Sequence, residues 1–238
     1  MKPYHTEQTK TEEVRQMFDR IAPTYDTLNH TLSLGIDKLW RLHVMRIVRR
    51  LKPRRILDVA TGTGDMAITL ARRIRGCQVL GVDLSEGMLE AARSKVTRQG
   101  LDERVVLDLG CAEALAVGDE TIDVATVAFG VRNFEDLELG LREIVRTLKP
   151  GGHLVILEFS TPRNWLVRRV YGWYAHHVLP RVGGAISKDK AAYKYLPASV
   201  DEFPSPTAFV AILQQVGLHH CRVRSQSFGV AQIYIGEK

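Results

Sequence analysis

From Pro53 to Phe159 the chain alternates short apolar runs with helix-like stretches. Ile56–Ala60, Gln78–Asp83, Val105–Leu109, Ile122–Ala128 and His153–Phe159 read as strands. Asp65–Ile74, Glu86–Arg98 and Leu137–Leu148 read as helices, the last ended by "KPGG". The strands are continuous apolar runs, the pattern of strands covered on both faces. Such alternation restricts the chain to an α/β fold, a Rossmann-like doubly wound sheet that is mostly parallel. Val223–Ser225 and Gln232–Ile235 add a closing pair with an antiparallel edge strand, seven strands in all. Ligands of such sheets bind outside the carboxyl ends of the strands.

The remaining segments are helical. "TEEVRQMFDRIA" opens with threonine and early glutamates, a capped helix start. Gly35 breaks the region, and "KLWRLHVMRIVRRL" resumes helical spacing. Pro206–Val216 reads as a helix. The expected organisation is one domain, 1–238: a helical N-terminal lid (10–52), a cofactor-binding core (53–160), a helical insertion for substrate or membrane (161–204) and a closing helix and strands (205–238).

Strand 1 runs into "LDVATGTGDM", where Gly62 and Gly64 expose bare backbone to a ligand. The helix that follows offers unpaired N–H groups. Strand 2 ends in Asp83, placed to accept both hydroxyls of a ribose, because Ser85 is the better cap for the next helix. No G-K-[ST] follows the turn, so it is not a P-loop. The third glycine of the dinucleotide fingerprint is missing, and Asp65 at the helix start repels phosphate. A cationic nucleoside without phosphate fits best, and S-adenosylmethionine (SAM) is such a ligand.

Cys77, Cys111 and Cys221 lie far apart, against a disulfide scaffold or zinc site, and no metal is expected. The N-terminus has no apolar core and no run approaches a membrane span, so a cytoplasmic protein is expected. A net charge of +6 favours anionic partners, with basic stretches at Arg41–Arg55 and Arg163–Arg181. At helical spacing, Trp165–Leu179 gathers Leu166, Val167, Val170, Tyr171, Trp173, Tyr174 and Val178 on one broad side, with Arg168, Gly172 and His176 opposite. That pattern suits a membrane interface, a lid over an apolar pocket, or a helix buried in the domain or in a dimer contact.

"LDVATGTGD", "GVDLSEGMLEAA", "DVATVAFGVRNFED" and "LREIVRTLKPGGHLVILEFSTP" resemble the seven-strand SAM-dependent methyltransferases. "MFDRIAPTYDTLNHTLSLGIDKLWR", "AAYKYLPASVDEFP" and "SFGVAQIYIGEK" narrow the resemblance to the C-methyltransferases of menaquinone and ubiquinone biosynthesis. It implies C-methylation of demethylmenaquinol or the related ubiquinol precursor, with SAM as co-substrate and a prenylated quinol as partner. It also implies Thr63 at the methionine part of SAM, Asp83 at the ribose, and Cys111 and Ala112 at the adenine. Cys111 stands where the family usually has asparagine or aspartate. Adenine contact is therefore expected from the Ala112 backbone and from Asp108 or Glu113. Ala128 stands where some members carry serine, and Asp37 where histidine is frequent.

Methyl transfer to carbon needs positioning and either a base or groups that stabilise a phenolate. The candidates are Tyr25, Asp26 and Asn29; Arg132 and Asn133; His176, His177, Tyr193 and Tyr195. Arg132 suits phenolate stabilisation rather than proton abstraction. Asp26 suits proton acceptance, and Asn133 completes the expected catalytic set. A prenylated acceptor favours peripheral contact with the inner face of the cytoplasmic membrane. A nucleic-acid methyltransferase is the weaker alternative, since no base-extrusion motif or RNA-binding module is present, and no nucleic-acid partner is expected. A SAM-binding assembly partner without chemistry is another.

Overall fold

The computed structural model describes residues 1–162, 164–174, 177 and 189–238. Its centre is a seven-stranded sheet: β1 (Arg55–Val59), β2 (Gln78–Asp83), β3 (Val105–Leu109), β4 (Ile122–Ala128), β5 (Leu148–Phe159), β6 (His219–Gln226) and β7 (Ala231–Glu237). The order is β3-β2-β1-β4-β5-β7-β6. β1 to β5 pair in parallel, and β7 runs antiparallel to both β5 and β6. The expected doubly wound sheet is present, and the strand order reverses between β1 and β4.

The helices are α1 (Lys10–Leu32), α2 (Ile36–Arg50), α3 (Asp65–Arg73), α4 (Glu86–Arg98), α5 (Leu137–Thr147), α6 (Trp165–Trp173), α7 (Lys190–Glu202) and α8 (Pro206–Gln215). Successive residues of β1 serve opposite layers. Ile56 joins Val44 and Val48 of α2 and Leu70 of α3. Leu57 joins Leu141 and Ile144 of α5 and Phe209 of α8. Each such fully buried side chain is worth about 1.5–3 kcal/mol. A third cluster lies at one end of the sheet, where Val14, Met17 and Ile21 of α1 pack on Met88 of α4 and Tyr193 of α7.

Local chemistry explains the element ends. Thr9, Ser85, Asp136, Asp189 and Ser205 accept an N–H in the first turn of α1, α4, α5, α7 and α8. Gly35 turns the chain into α2 with φ of 74°.

Several element ends differ from the sequence expectation by a residue or more, and three of the differences bear on the site. β1 stops at Val59, because Ala60 leaves the strand at φ 53°. There β1 and β4 part, and a Cβ on Gly130 would lie 2.5 Å from that of Ala60. "KPGG" lies inside β5: pairing jumps from Ile122 with Leu148 to Val124 with His153, so the glycines form a bulge. Finally, α6 is described only to Trp173. The expected positions Arg163, His176, Val178, Leu179 and Arg181 lie outside the described residues. The apolar side expected for this helix divides in two. Val167, Tyr171 and Tyr174 are half-buried, while Leu166, Val170 and Trp173 are exposed.

Candidate active site

Two cavities open at the carboxyl ends of β1, β2 and β4. The first and smaller is bordered by Gly62, Asp83, Cys111, Ala112, Glu113 and Asn133, and α1 closes it with Val14, Phe18 and Tyr25. Its charged lining is Asp83, Glu113 and Glu135, with no lysine, arginine or histidine among the described lining residues. Such a wall repels phosphate and favours a cation.

Asp83 is 7% exposed. Its Oδ2 accepts the Gly62 N–H (2.7 Å) and its Oδ1 accepts the Ser85 N–H (2.9 Å). Each oxygen keeps a lone pair for a ligand hydroxyl. Ser85 caps α4 as expected, accepting the Met88 N–H at 3.2 Å. Burial pushes the Asp83 carboxyl up to about 6, against its backbone hydrogen bonds. Asp58, at the end of β1, is likewise pushed up to about 6 by burial, though Thr126 and Thr61 donate hydroxyls to it at 2.5 and 2.6 Å.

Both groups bind protons more tightly folded than unfolded, from an ordinary value of 3.8. Their contribution to stability is therefore full below about pH 4 and lost as pH rises through about 6. Asp58→Asn removes one of these titrations. Its stability relative to the parent, from urea unfolding, is expected to improve between pH 4 and pH 7 by up to about 3 kcal/mol. A pH-independent difference would refute the linkage.

The two glycines of the turn have different jobs. Gly62 sits at φ 56° with nothing within 4 Å of a Cβ, and it borders the cavity. Gly64, at φ 79°, does not: a Cβ there would meet that of Ala92 at 3.1 Å, so it serves the approach of α4 rather than a ligand. Alanine at either position strains the backbone by roughly 1 kcal/mol. Gly62→Ala is expected to weaken the ligand more than the fold, and Gly64→Ala the fold more than the ligand. Calorimetry beside thermal unfolding separates the two.

Thr63 lines neither cavity. Its hydroxyl donates to Asp26 Oδ1 (2.5 Å) and accepts from Lys95 Nζ (3.2 Å). Asp26, expected as a proton acceptor, also lines neither; Lys95 pairs with it at 2.7 Å and with Asp65 at 2.5 Å. Asp26, His30 and Asp65 bring ligand-type atoms within 4.8 Å of one another, but the Lys95 ammonium already occupies that acidic corner. The adenine-side expectation divides. Cys111, Ala112 and Glu113 border the cavity, while Asp108 is exposed on β3. Cys111 donates to Glu113 at 2.5 Å, and burial together with that carboxylate pushes its thiol up to about 11, so it stays neutral.

The second and larger cavity is mostly apolar and aromatic, with walls from Trp40, Phe159, Tyr171, Tyr174, Tyr193 and Leu196. Tyr25 and Phe129 border both cavities, so the two meet there. Asn29, Arg132 and Asp37 supply polar groups to the larger one. Arg132 is held on three sides. Its Nη1 donates to Glu158 (2.7 Å) and the Phe129 carbonyl (2.6 Å), and its Nε to Ser199 (3.2 Å). Burial alone would lower its pKa, but Glu158 together with Tyr25 and Tyr195 outweighs that and keeps the guanidinium charged. Asn133 borders the smaller cavity and accepts from the Tyr195 hydroxyl at 3.1 Å. Asp37 is committed to Ser33, Arg41 and His30, which outweigh its burial and hold its carboxyl below the usual range.

Sequence reasoning did not single out Phe129, Glu158 or Lys95. Glu158 had a signal: a carboxylate within "VILEF" must be paired if that strand is buried. Phe129 had a weaker one, its place just beyond strand 4 at the switch point.

The sequence matches the model of the ubiE/COQ5 methyltransferase family over residues 6–238. The chain belongs to this family. Relatives carry names that agree. The demethylmenaquinone methyltransferase of Bacteroides fragilis is 43% identical over all of this chain and 97% of its own length. The ubiquinone/menaquinone biosynthesis C-methyltransferase UbiE of Geobacter sulfurreducens is 47% identical over 96% of this chain and 90% of its own. Among solved structures, a SAM-dependent methyltransferase of Aquifex aeolicus aligns with a TM-score of 0.54 at 20% identity, over 77% of this chain and 81% of its own. The [4+2]-cyclase SpnF aligns over 96% of both chains, with a TM-score of 0.63 at 18% identity. The fold thus hosts more than methyl transfer, and the activity must be argued from the cavities.

Proposed function

We propose that this chain transfers the methyl group of SAM to a ring carbon of demethylmenaquinol, giving menaquinol. The observation that carries this reading is the junction of two unlike cavities at Tyr25 and Phe129. The smaller offers a carboxylate for a ribose and no cation to hold phosphate. The larger offers aromatic and aliphatic walls for a quinol ring and the start of its prenyl chain.

SAM supplies an activated methyl on a sulfonium, whose sulfur leaves with the bonding pair. Asp83 would accept the ribose hydroxyls, Gly62 would give the ligand room, and Ala112 and Glu113 would face the adenine. Cys111, a neutral thiol, adds packing. Tyr25 and Phe129 align the two reactants, the contribution that reaches ~7–11 kcal/mol in well-oriented reactions. The quinol carbon becomes nucleophilic as its ring hydroxyl loses a proton. Arg132, fixed and charged beside the larger cavity, would stabilise the phenolate. The ring proton is lost last while the ring oxygen takes a proton back, so the overall reaction releases one proton with S-adenosylhomocysteine.

The N-terminal segment, 10–52, acts as a lid: its α1 closes the smaller cavity and its α2 walls the larger. No helix among the described residues is long and apolar enough to cross a membrane. We read α6 as a membrane-facing wall, because Tyr171 and Tyr174 line the larger cavity while Trp165 and Trp173 face outward.

Label transfer from methyl-labelled SAM to reduced demethylmenaquinone in detergent tests the function, with the related ubiquinol precursor in parallel. Label in menaquinone is expected. Label in neither acceptor, with SAM binding intact by calorimetry, would overturn the reading.

A further inference from the structure

The larger cavity has a second buried guanidinium besides that of Arg132. Arg41, on α2, borders the cavity and is only 8% exposed. Its Nη1 donates to Asp37, its one hydrogen-bond partner among the described residues. Its Nε is fully buried and meets no acceptor among the described residues. The Nε–Nη2 edge of the fork, which can hold one oxygen from two donors, is thus open. Arg132 differs, since Glu158, Ser199 and the Phe129 carbonyl take its Nη1 and Nε. A buried donor without an acceptor costs stability, and native chains satisfy nearly all of them. An acceptor carried in by a ligand accounts for one left open beside an otherwise apolar cavity.

Both guanidiniums meet Phe129, the ring at which the two cavities join. Arg132 holds its carbonyl, and the Arg41 guanidinium carbon lies 5.4 Å from its ring centroid. Phe129 stacks on Phe159 at 4.4 Å, and Arg132 lies over Phe159 at 5.6 Å. Burial raises the pKa of the Tyr25 hydroxyl, and Arg132 and Arg41 each pull against it, so both charges reach the other residue of the junction. The two cations differ in place. Arg132 precedes Asn133, which borders the smaller cavity, whereas no residue of α2 borders it among the described lining residues. Arg132 is therefore the cation on the methyl-donor side, and Arg41 the one beyond it.

Demethylmenaquinol has two ring hydroxyls, para to one another. One adjoins the carbon that takes the methyl, and it activates that carbon by losing a proton. The other is meta to the reacting carbon and activates it little. We propose that Arg41 donates to the oxygen of this second hydroxyl, so that the site selects acceptors with oxygen at both ends of the ring. The inference rests on the quinol reading above and adds what fixes the ring's orientation. Arg41 acts by holding the acceptor, and the activated oxygen faces Arg132.

The test compares a short-chain 2-alkyl-1,4-dihydroxynaphthalene with a 3-alkyl-1-naphthol. The naphthol keeps the hydroxyl beside the reacting carbon and lacks the one across the ring. Anaerobic calorimetric titration reads binding, and methyl-labelled SAM reads transfer. The parent protein should bind the dihydroxy compound at least roughly tenfold more tightly than the naphthol. Arg41→Met should abolish that preference by weakening the dihydroxy compound alone, and in turnover the loss should appear in KM. The paired variant Arg41→Met with Asp37→Asn leaves no buried carboxylate without its counter-charge, and it should give the same result if the single variant unfolds. A parent that binds neither compound, or both alike, overturns the proposal. So does a folded variant that weakens both compounds equally or keeps the preference, since Arg41 then only shapes the cavity. If the preference is present and depends on Arg41 while neither compound is methylated, the methyl-transfer reading falls and the Arg41 contact stands.

Discussion

Asp83→Ala is expected to lower SAM affinity by at least ~100-fold and to remove methyl transfer at ordinary SAM concentrations. Two ribose hydroxyls donating to one carboxylate are charge-assisted hydrogen bonds, worth about 1.5–3 kcal/mol each. Alanine removes both. It also leaves the Gly62 and Ser85 N–H groups without their acceptor, which loosens the glycine turn. Asp83→Asn keeps one acceptor oxygen and is expected to fall between the two. Calorimetric titration gives the affinity, and a thermal scan without ligand separates a damaged turn from a lost ribose contact. The carboxyl is pushed up to about 6, so the parent's affinity is expected to decline as pH falls below that value, while Asp83→Asn stays flat. An alanine variant within a few fold of the parent would remove Asp83 from the ligand.

Arg132→Ala carries the second large effect, and it acts on stability as well as rate. Glu158 is 0% exposed, and alanine would leave its carboxylate buried without a counter-charge. Breaking one side of a buried pair costs about 3–5 kcal/mol. The Phe129 carbonyl and Ser199 hydroxyl lose their donor as well. A fall in activity from this variant alone would not separate chemistry from collapse. The double variant Arg132→Met with Glu158→Gln removes both charges and is expected to recover most of the lost stability. If the guanidinium stabilises a phenolate, kcat stays at least ~100-fold down in that refolded background. Recovery of kcat with stability would show that Arg132 only shapes the cavity.

Much of this site was legible because its signals are local. The glycine turn, Asp83 at a strand end and Ser85 as a cap need only the order of elements around them. The sheet was legible because its central strands bury both faces. What escaped depends on contacts across the chain. Thr63 and Asp26 look like ligand groups in isolation, and only the approach of α4 brings Lys95 onto them. Gly64 looks like a partner to Gly62 until Ala92 lies against it. Phe129 joins the cavities because β1 and β4 diverge, a fact of topology and not of any motif. The bulge in β5 was hidden because "KPGG" carries the same turn chemistry whether it ends an element or interrupts one.

The roof of the smaller cavity sets an order on synthesis. α1 is made first, yet its apolar face packs on Met88 and Tyr193, and Tyr4 reaches Asp189 at 2.5 Å. Its other anchors, the Asp19–Ser85 and Thr11–Glu135 hydrogen bonds, also lie far along the chain. The five parallel strands are complete once Phe159 has emerged. Most of the roof's anchors exist once Glu135 has been made, and its packing is complete only when Asp189 and Tyr193 follow, after the last parallel strand.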